Sequence, residues 1–300
     1  MQSSTGGWLR RTLFAGAAAL AVAAAPIAAE AAPYAYASNQ ITNLTVTYAD
    51  GSSILAPGGT NLAQANTSIS GSAFFTGFAP GGSFNSGVVG AALEMPQAFS
   101  GPGPAPGENT FNPAGAPGTF IGTRADANIG AGTAQTGVAV NNVVEGYGVV
   151  SGTSGTSTAN NTATITWSVV GTGQGLLVQF NDLIQLIAST AVAFGESATA
   201  TIANTLQLRN AAGVLIFEAA PAEINRQVGS GAGVPPTASI NETHSISILT
   251  PALVSGQSYT VSLTSQATQS ITVGVPEPAT LALLGAGLLG LAAVRRRKAA

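Results

Sequence analysis

The 300-residue chain has no cysteine and only one histidine, His244. The first absence excludes disulfides and thiolate metal sites, so stability must come from packing and backbone pairing. The second leaves no cluster of imidazole ligands. Charged residues make up only 7% of the chain. Six of the nine basic residues sit near the ends: Arg10, Arg11, Arg295, Arg296, Arg297 and Lys298. The stretch from Ser38 to Gly274 keeps Arg124, Arg209 and Arg226, no lysine, and ten acids, for a formal charge of −7. Such a body cannot neutralise a run of phosphates, which excludes nucleic acid as a partner. Tryptophan is scarce too, with only Trp8 and Trp167.

What is present begins at the two ends. Arg10-Arg11 precedes an uncharged run, Thr12 to Ala29, rich in Ala and Leu. A basic start, an apolar stretch and small residues make a signal peptide, here 1–37. Ala29-Glu30-Ala31 and Ala35-Tyr36-Ala37 both fit a small-x-small cleavage site. The context of the paired arginines fits the general secretory translocon better than the twin-arginine route. At the other end, Pro276-Glu277-Pro278 precedes an apolar run ending at Val294, and Arg295-Arg296-Arg297-Lys298 follows. Residues 279–294 form a predicted transmembrane helix about 24 Å long at 1.5 Å per residue, slightly short of a comfortable span. Snorkelling basic side chains can close that gap. The basic cluster favours the cytoplasmic side, which places the preceding chain outside the inner membrane.

This order of elements, Pro276-Glu277-Pro278, a glycine-dotted apolar helix and a terminal basic cluster, resembles the PEP-CTERM sorting signal, a segment also labelled the ice-binding protein C-terminal domain. The resemblance covers 275–300. It implies recognition by an exosortase, a membrane protease that cuts near the Pro-Glu-Pro element. It also implies a Gram-negative host that makes extracellular polysaccharide and biofilm, and a cell-surface or extracellular destination after an inner-membrane intermediate.

Between the ends, residues 38–274 read as a β-rich exported domain. Leu44, Val46 and Tyr48 alternate with threonines, and Asp50-Gly51 signals a turn. Ile165, Trp167 and Val169 alternate with Thr and Ser, as do Ile246 and Ile248, and Tyr259, Val261 and Leu263. Period two with hydroxyl residues on the other phase marks half-buried antiparallel strands. Shorter candidates are 138–150, 176–180, 200–208 and 214–217, with Asn210-Ala211-Ala212-Gly213 as a hairpin connection. Asp182 to Ala193 is open between a short helix capped by Asp182 and a strand. Residues 38–137 are looser, with a loop at Gly101–Gly107. The fold class expected is all-β: an antiparallel sandwich or jelly roll with long Gly/Pro-rich loops.

Catalytic signatures are thin. His244 could serve a Ser-His-Asp site, but no Gly-x-Ser-x-Gly elbow occurs, and a strand-edge histidine is expected. Asp182, Glu196, Glu218 and Glu223 could supply a glycosidase pair; nothing in sequence pairs them, and exposed carboxylates are expected. Trp167 lies in an apolar phase, so core packing is favoured over a sugar platform. Asp126-Ala127-Asn128-Ile129-Gly130 alternates oxygen ligands without the bidentate glutamate of a calcium loop, so a turn capped by Asp126 is expected. No glycine-rich phosphate loop continues into Lys-Ser/Thr. No catalytic residue, metal or cofactor is therefore assigned. The expected role is a structural or adhesive surface protein touching polysaccharide or matrix proteins. The alternatives are a secreted glycan-active enzyme and a ligand or ice binder. Ice binding needs a regular threonine array, and only isolated stretches such as 162–166 and 199–201 occur.

Overall fold

Alternation with period two carries almost the whole body into strands. The computed structural model describes residues 32–54, 65–89, 92–102, 104–114, 121–148, 155–190, 195–273 and 287. Its strands are β1 (Tyr34–Tyr48), β2 (Ala65–Phe75), β3 (Phe78–Val89), β4 (Leu93–Glu94), β5 (Ala98–Ser100), β6 (Gly122–Ile129) and β7 (Val138–Tyr147). They continue as β8 (Gly155–Val170), β9 (Leu176–Ser189), β10 (Ser197–Asn210), β11 (Leu215–Ala219), β12 (Arg226–Gly231), β13 (Thr237–Leu249) and β14 (Ser258–Val273). A 3-10 turn, Ala222–Ile224, lies between β11 and β12.

The strands form two antiparallel sheets. Sheet A has the order β13-β9-β1-β7-β6-β4, with β5 also on β6. Sheet B has the order β11-β10-β14-β8-β2-β3, with β12 also on β10. Along the chain the strands change sheet repeatedly: β1 in A, β2 and β3 in B, β4 to β7 in A, β8 in B, β9 in A, β10 to β12 in B, β13 in A and β14 in B. Inner faces of both sheets contribute to one core, which includes Ile41, Leu44, Val140 and Leu186 from A and Ile165, Trp167, Val261 and Leu263 from B.

That core is not wholly apolar. Asn39 on β1 donates from Nδ2 to Asn204 Oδ1 (2.7 Å) on β10 and to Ser265 Oγ (2.8 Å) on β14. Asn142 on β7 donates to the Ser265 carbonyl at 2.9 Å. Gln269 on β14 reaches Thr123 Oγ1 on β6 at 2.5 Å, and Asn161 on β8 donates to the Asp126 carbonyl. Each of these crosses from one sheet to the other, and all five amide side chains are buried.

Most strand expectations hold, including the hairpin, where Gly213 takes φ +77 and Asn210 Oδ1 accepts from Ala212 and Val214 N–H. One open reading resolves to strand, and one reading needs correction. Asp182 starts no helix: it lies inside β9, whose inward phase runs Asp182, Ile184, Leu186, Ala188. Asp126 caps no turn: Arg124, Asp126 and Asn128 share the outer face of β6 while Ala125, Ala127 and Ile129 face the core. Strand β1 begins at Tyr34, four residues before Ser38, and residues 34–37 pair with both β7 and β9. The looser part, 38–137, supplies β2 to β6 and most of β1.

β1 keeps one inward phase through Ile41 and resumes it at Leu44, across a register shift on both partners. Asn43 there adopts φ +55, and Gly137 opposite adopts φ +95 with its absent Cβ 2.8 Å from Asn43 Cα. Gly137→Ala should therefore cost about 1–3 kcal/mol, measured as a lower urea midpoint with an unchanged slope.

Candidate functional site

The residues assigned to sorting, Pro276, Glu277, Pro278, Arg295, Arg296, Arg297 and Lys298, lie outside the described residues, as do residues 1–31 of the signal peptide expected over 1–37. Of the predicted span 279–294 only Gly287 is described, and it is helical. Among the described residues no helix is long and apolar enough to cross a membrane. The structure does describe what leads into the sorting segment. β14 ends at Val273, with β10 and β8 paired along its whole length.

The catalytic candidates do not converge. His244 is on the edge strand β13, half-buried, with Nε2 3.2 Å from Glu242 Oε2, which also takes Arg226 Nη2 at 3.1 Å. Asp182 is its cross-strand neighbour on β9. Two of the carboxylates expected at the surface are buried, Asp182 at 0% and Glu196 at 6% exposure, whereas Glu218 and Glu223 are exposed. Asp182 Oδ2 is 3.4 Å from Asn204 Nδ2, Oδ1 has no partner, and burial pushes its pKa up to about 8. Trp167 is buried in the core, on the inward phase of β8.

The structure brings together two outer-face arrangements that the sequence left scattered. On sheet A the segment 104–114 lies across β1, β6 and β7. The carbonyl of Phe111 accepts from Tyr36 Oη (2.5 Å) and Ser38 Oγ (3.0 Å), and Asn109 N–H donates to Asp126 Oδ2 at 2.7 Å. Beneath it Arg124 Nε meets Glu145 Oε2 at 2.9 Å, both side chains being essentially inaccessible. Glu145 also accepts from Tyr34 Oη at 2.6 Å and from Ala114 N–H. Burial and the nearby Glu145 charge raise the Tyr34 phenol, and burial raises Asp126. A buried ion pair with hydrogen bonds on both partners is a structural element, since removing either partner would strand the other charge. Its trace in sequence is Arg124-x-Asp126-x-Asn128 alternating with small apolar residues.

Sheet B is the opposite. Its outer phase on β10, β14, β8 and β2 is almost entirely Thr, Ser, Asn and Gln, half-buried or exposed. Register aligns these side chains in rows across four strands: Thr205, Thr264, Thr164, Ser68; then Ala203, Gln266, Thr162, Ser70; then Thr201, Thr268, Asn160, Ser72. Rows are about 6.7 Å apart and neighbours within a row about 4.8 Å. Thr164 and Thr264 hydroxyls are 3.1 Å apart, and Gln266 Nε2 donates to Asn160 Oδ1 at 3.3 Å. The isolated threonine stretches of the sequence are thus parts of one two-dimensional array.

Comparison with known proteins bears on the tail. Residues 274–298 match the family of the PEP-CTERM protein-sorting motif. The motif supports an exported protein that is sorted by an exosortase through a membrane-anchored intermediate. No curated protein matches the chain. Two solved structures of infectious bursal disease virus are similar in part: the Gx strain structure (13% identity, 82% of this chain, 63% of that one, TM-score 0.11) and the T=1 particles (12% identity, 82% and 65%, TM-score 0.09). The chain spans less than two thirds of either viral chain, and these scores carry no argument.

The buried Asp182 generates a pH prediction. With its folded pKa raised above the 3.8 of the unfolded chain, the native state holds a proton that the unfolded state has released between pH 4 and 8. Its contribution is fully present below pH 4 and is lost as pH rises through 8. Asp182→Asn should abolish this fall: thermal melts at pH 5 and pH 9 should show the variant close to wild type at the lower pH and more stable at the higher.

Proposed function

We propose that the chain is a non-enzymatic surface or matrix protein, delivered by exosortase processing, whose β-sandwich body acts by contact and not by chemistry. One observation carries the reading: the sorting motif begins at residue 274, directly after β14 ends at Val273. No further domain intervenes between body and tail, so a cut near Pro276-Glu277-Pro278 releases the sheets intact. The prolines cannot extend the β14 ladder, since they lack the N–H it would need, and they keep the chain extended for a protease at the outer membrane face. Glu277 offers a charge for a specific pocket. Arg295 to Lys298 halt translocation and hold the Pro-Glu-Pro element at that depth.

At the other end the secretory route delivers a body that must begin before Tyr34. Cleavage after Ala37 would remove Tyr34, whose hydroxyl bonds Glu145, and Tyr36, whose hydroxyl bonds Phe111. Cleavage after Ala31 leaves β1 whole. The body then works at the cell surface or in the extracellular matrix, against polysaccharide or matrix proteins.

Two measurements test this. Intact mass of the released protein should place its N-terminus at Ala32 and its C-terminus near Pro276–Pro278; full-length tails on wild-type protein would make the segment a permanent anchor. Glu277→Ala should leave export intact while uncleaved, membrane-bound protein accumulates.

A further inference from the structure

The outer face of sheet B has no part in folding the core or in sorting. We propose that it is a binding site for a neutral polysaccharide, a hydroxyl-rich polymer without carboxylate, sulfate or phosphate groups. The inference rests on the exported, contact-making role and names the partner of the body.

Charge is the first argument. The body carries −7, yet across β2, β3, β8, β10 and β14 the only charged residue is Arg209, near the end of β10. All ten acids lie elsewhere in the chain. An acidic polymer would meet a negative body with almost no cation to pair it, and a basic one would find on the strands of this face only Glu218, at the β11 edge and already bonded by Gln207. Only a neutral partner loses nothing there.

Hydrogen-bonding chemistry is the second. Threonine and serine hydroxyls donate and accept, and so do the amides of Gln266 and Asn160. Sugar hydroxyls have the same double capacity, so either partner can supply whichever role the other lacks. The cross-strand bonds already made, Thr164 to Thr264 and Gln266 to Asn160, pre-order the side chains and lower the entropy cost of contact. Strands of 14 to 16 residues extend about 50 Å. Many individually weak contacts can therefore act together along one polymer.

The third argument is Phe74. It stands on this same outer phase, 48% exposed, opposite Thr158. Its ring offers apolar area to the C–H face of a sugar at the margin of a surface whose centre is polar.

The test uses the processed protein recovered from its own cells. It is mixed with insoluble cellulose, curdlan and chitin as neutral probes and calcium alginate as an acidic one, and bound protein is measured by sedimentation. Wild type should sediment with at least one neutral glycan and not with alginate. Thr164→Glu or Thr264→Glu puts an unpaired charge in the middle of the face and should weaken binding about tenfold or more. Phe74→Ala should weaken it roughly three- to tenfold. Thr243→Glu, on the outer face of sheet A, should leave it unchanged, with melting curves verifying that each variant is folded. Binding to none of the neutral glycans, preference for alginate, or wild-type retention by folded Thr164→Glu would overturn the proposal. So would inhibition of ice-crystal growth, or self-association, that is lost in Thr164→Glu while no glycan binds. These results are independent of Glu277→Ala processing, so a failed face and a failed sorting route are told apart.

Discussion

The side chain of Asn39 ties the two sheets together at a defined offset. It spans the core from β1 to both Asn204 and Ser265, and its ladder partner Asn142 reaches the Ser265 carbonyl alongside it. Aliphatic side chains tolerate many mutual arrangements of comparable energy. Buried amides do not, because each one left unpaired costs about 1–3 kcal/mol. Sliding one sheet along the other by a single repeat would break the Asn39 and Asn142 bonds together, and Gln269 to Thr123 with them. With no disulfide to fix the relative position of the sheets, this polar seam does so.

Once the inner faces are fixed, the outer faces follow, and the two sheets treat them differently. Sheet A covers its centre with the 104–114 segment and places Arg124 against Glu145 beneath it. Tyr34 and Ala114 N–H bond the carboxylate of that ion pair and the Asn112 carbonyl takes Arg124 Nη2, which offsets much of the cost of burying it. Among the described residues no segment covers sheet B in the same way, and its hydroxyl and amide phase is half-buried or exposed. One fold therefore has a sealed side and an open side.

The strands with apolar and hydroxyl residues in strict alternation were legible, because burial of one face imposes period two wherever the other is wet. Legibility failed where both faces are buried. On β6 the alternation of Arg124, Asp126 and Asn128 with alanines resembles a turn, and nothing nearby announces that 104–114 will cover it. Asp182 was ambiguous because a buried carboxylate is costly in a strand and common at a helix start; the long β9 pairing outweighed it. The Ala35-Tyr36-Ala37 triplet fits two patterns at once, because the two alanines are buried inward positions of β1 and small side chains are also what a signal peptidase reads. The threonine array of sheet B was invisible for a different reason: Ser68, Thr164, Thr205 and Thr264 become neighbours only through register between strands distant in sequence. The sorting motif was the reverse case, since its elements are contiguous and no fold is needed to bring them together.

The placement of β14 has a mechanical consequence. It is flanked by β10 over 14 residue pairs and by β8 over 16, and the membrane-directed tail continues from its last residue. Tension along that strand loads both ladders in shear, so many hydrogen bonds share the force at once and none is peeled singly. β1, the first strand after the export signal, is likewise interior, held between β7 and β9. A body gripped by interior strands at both its beginning and its end can be hauled, tethered and tugged by whatever it holds without unravelling from its edges.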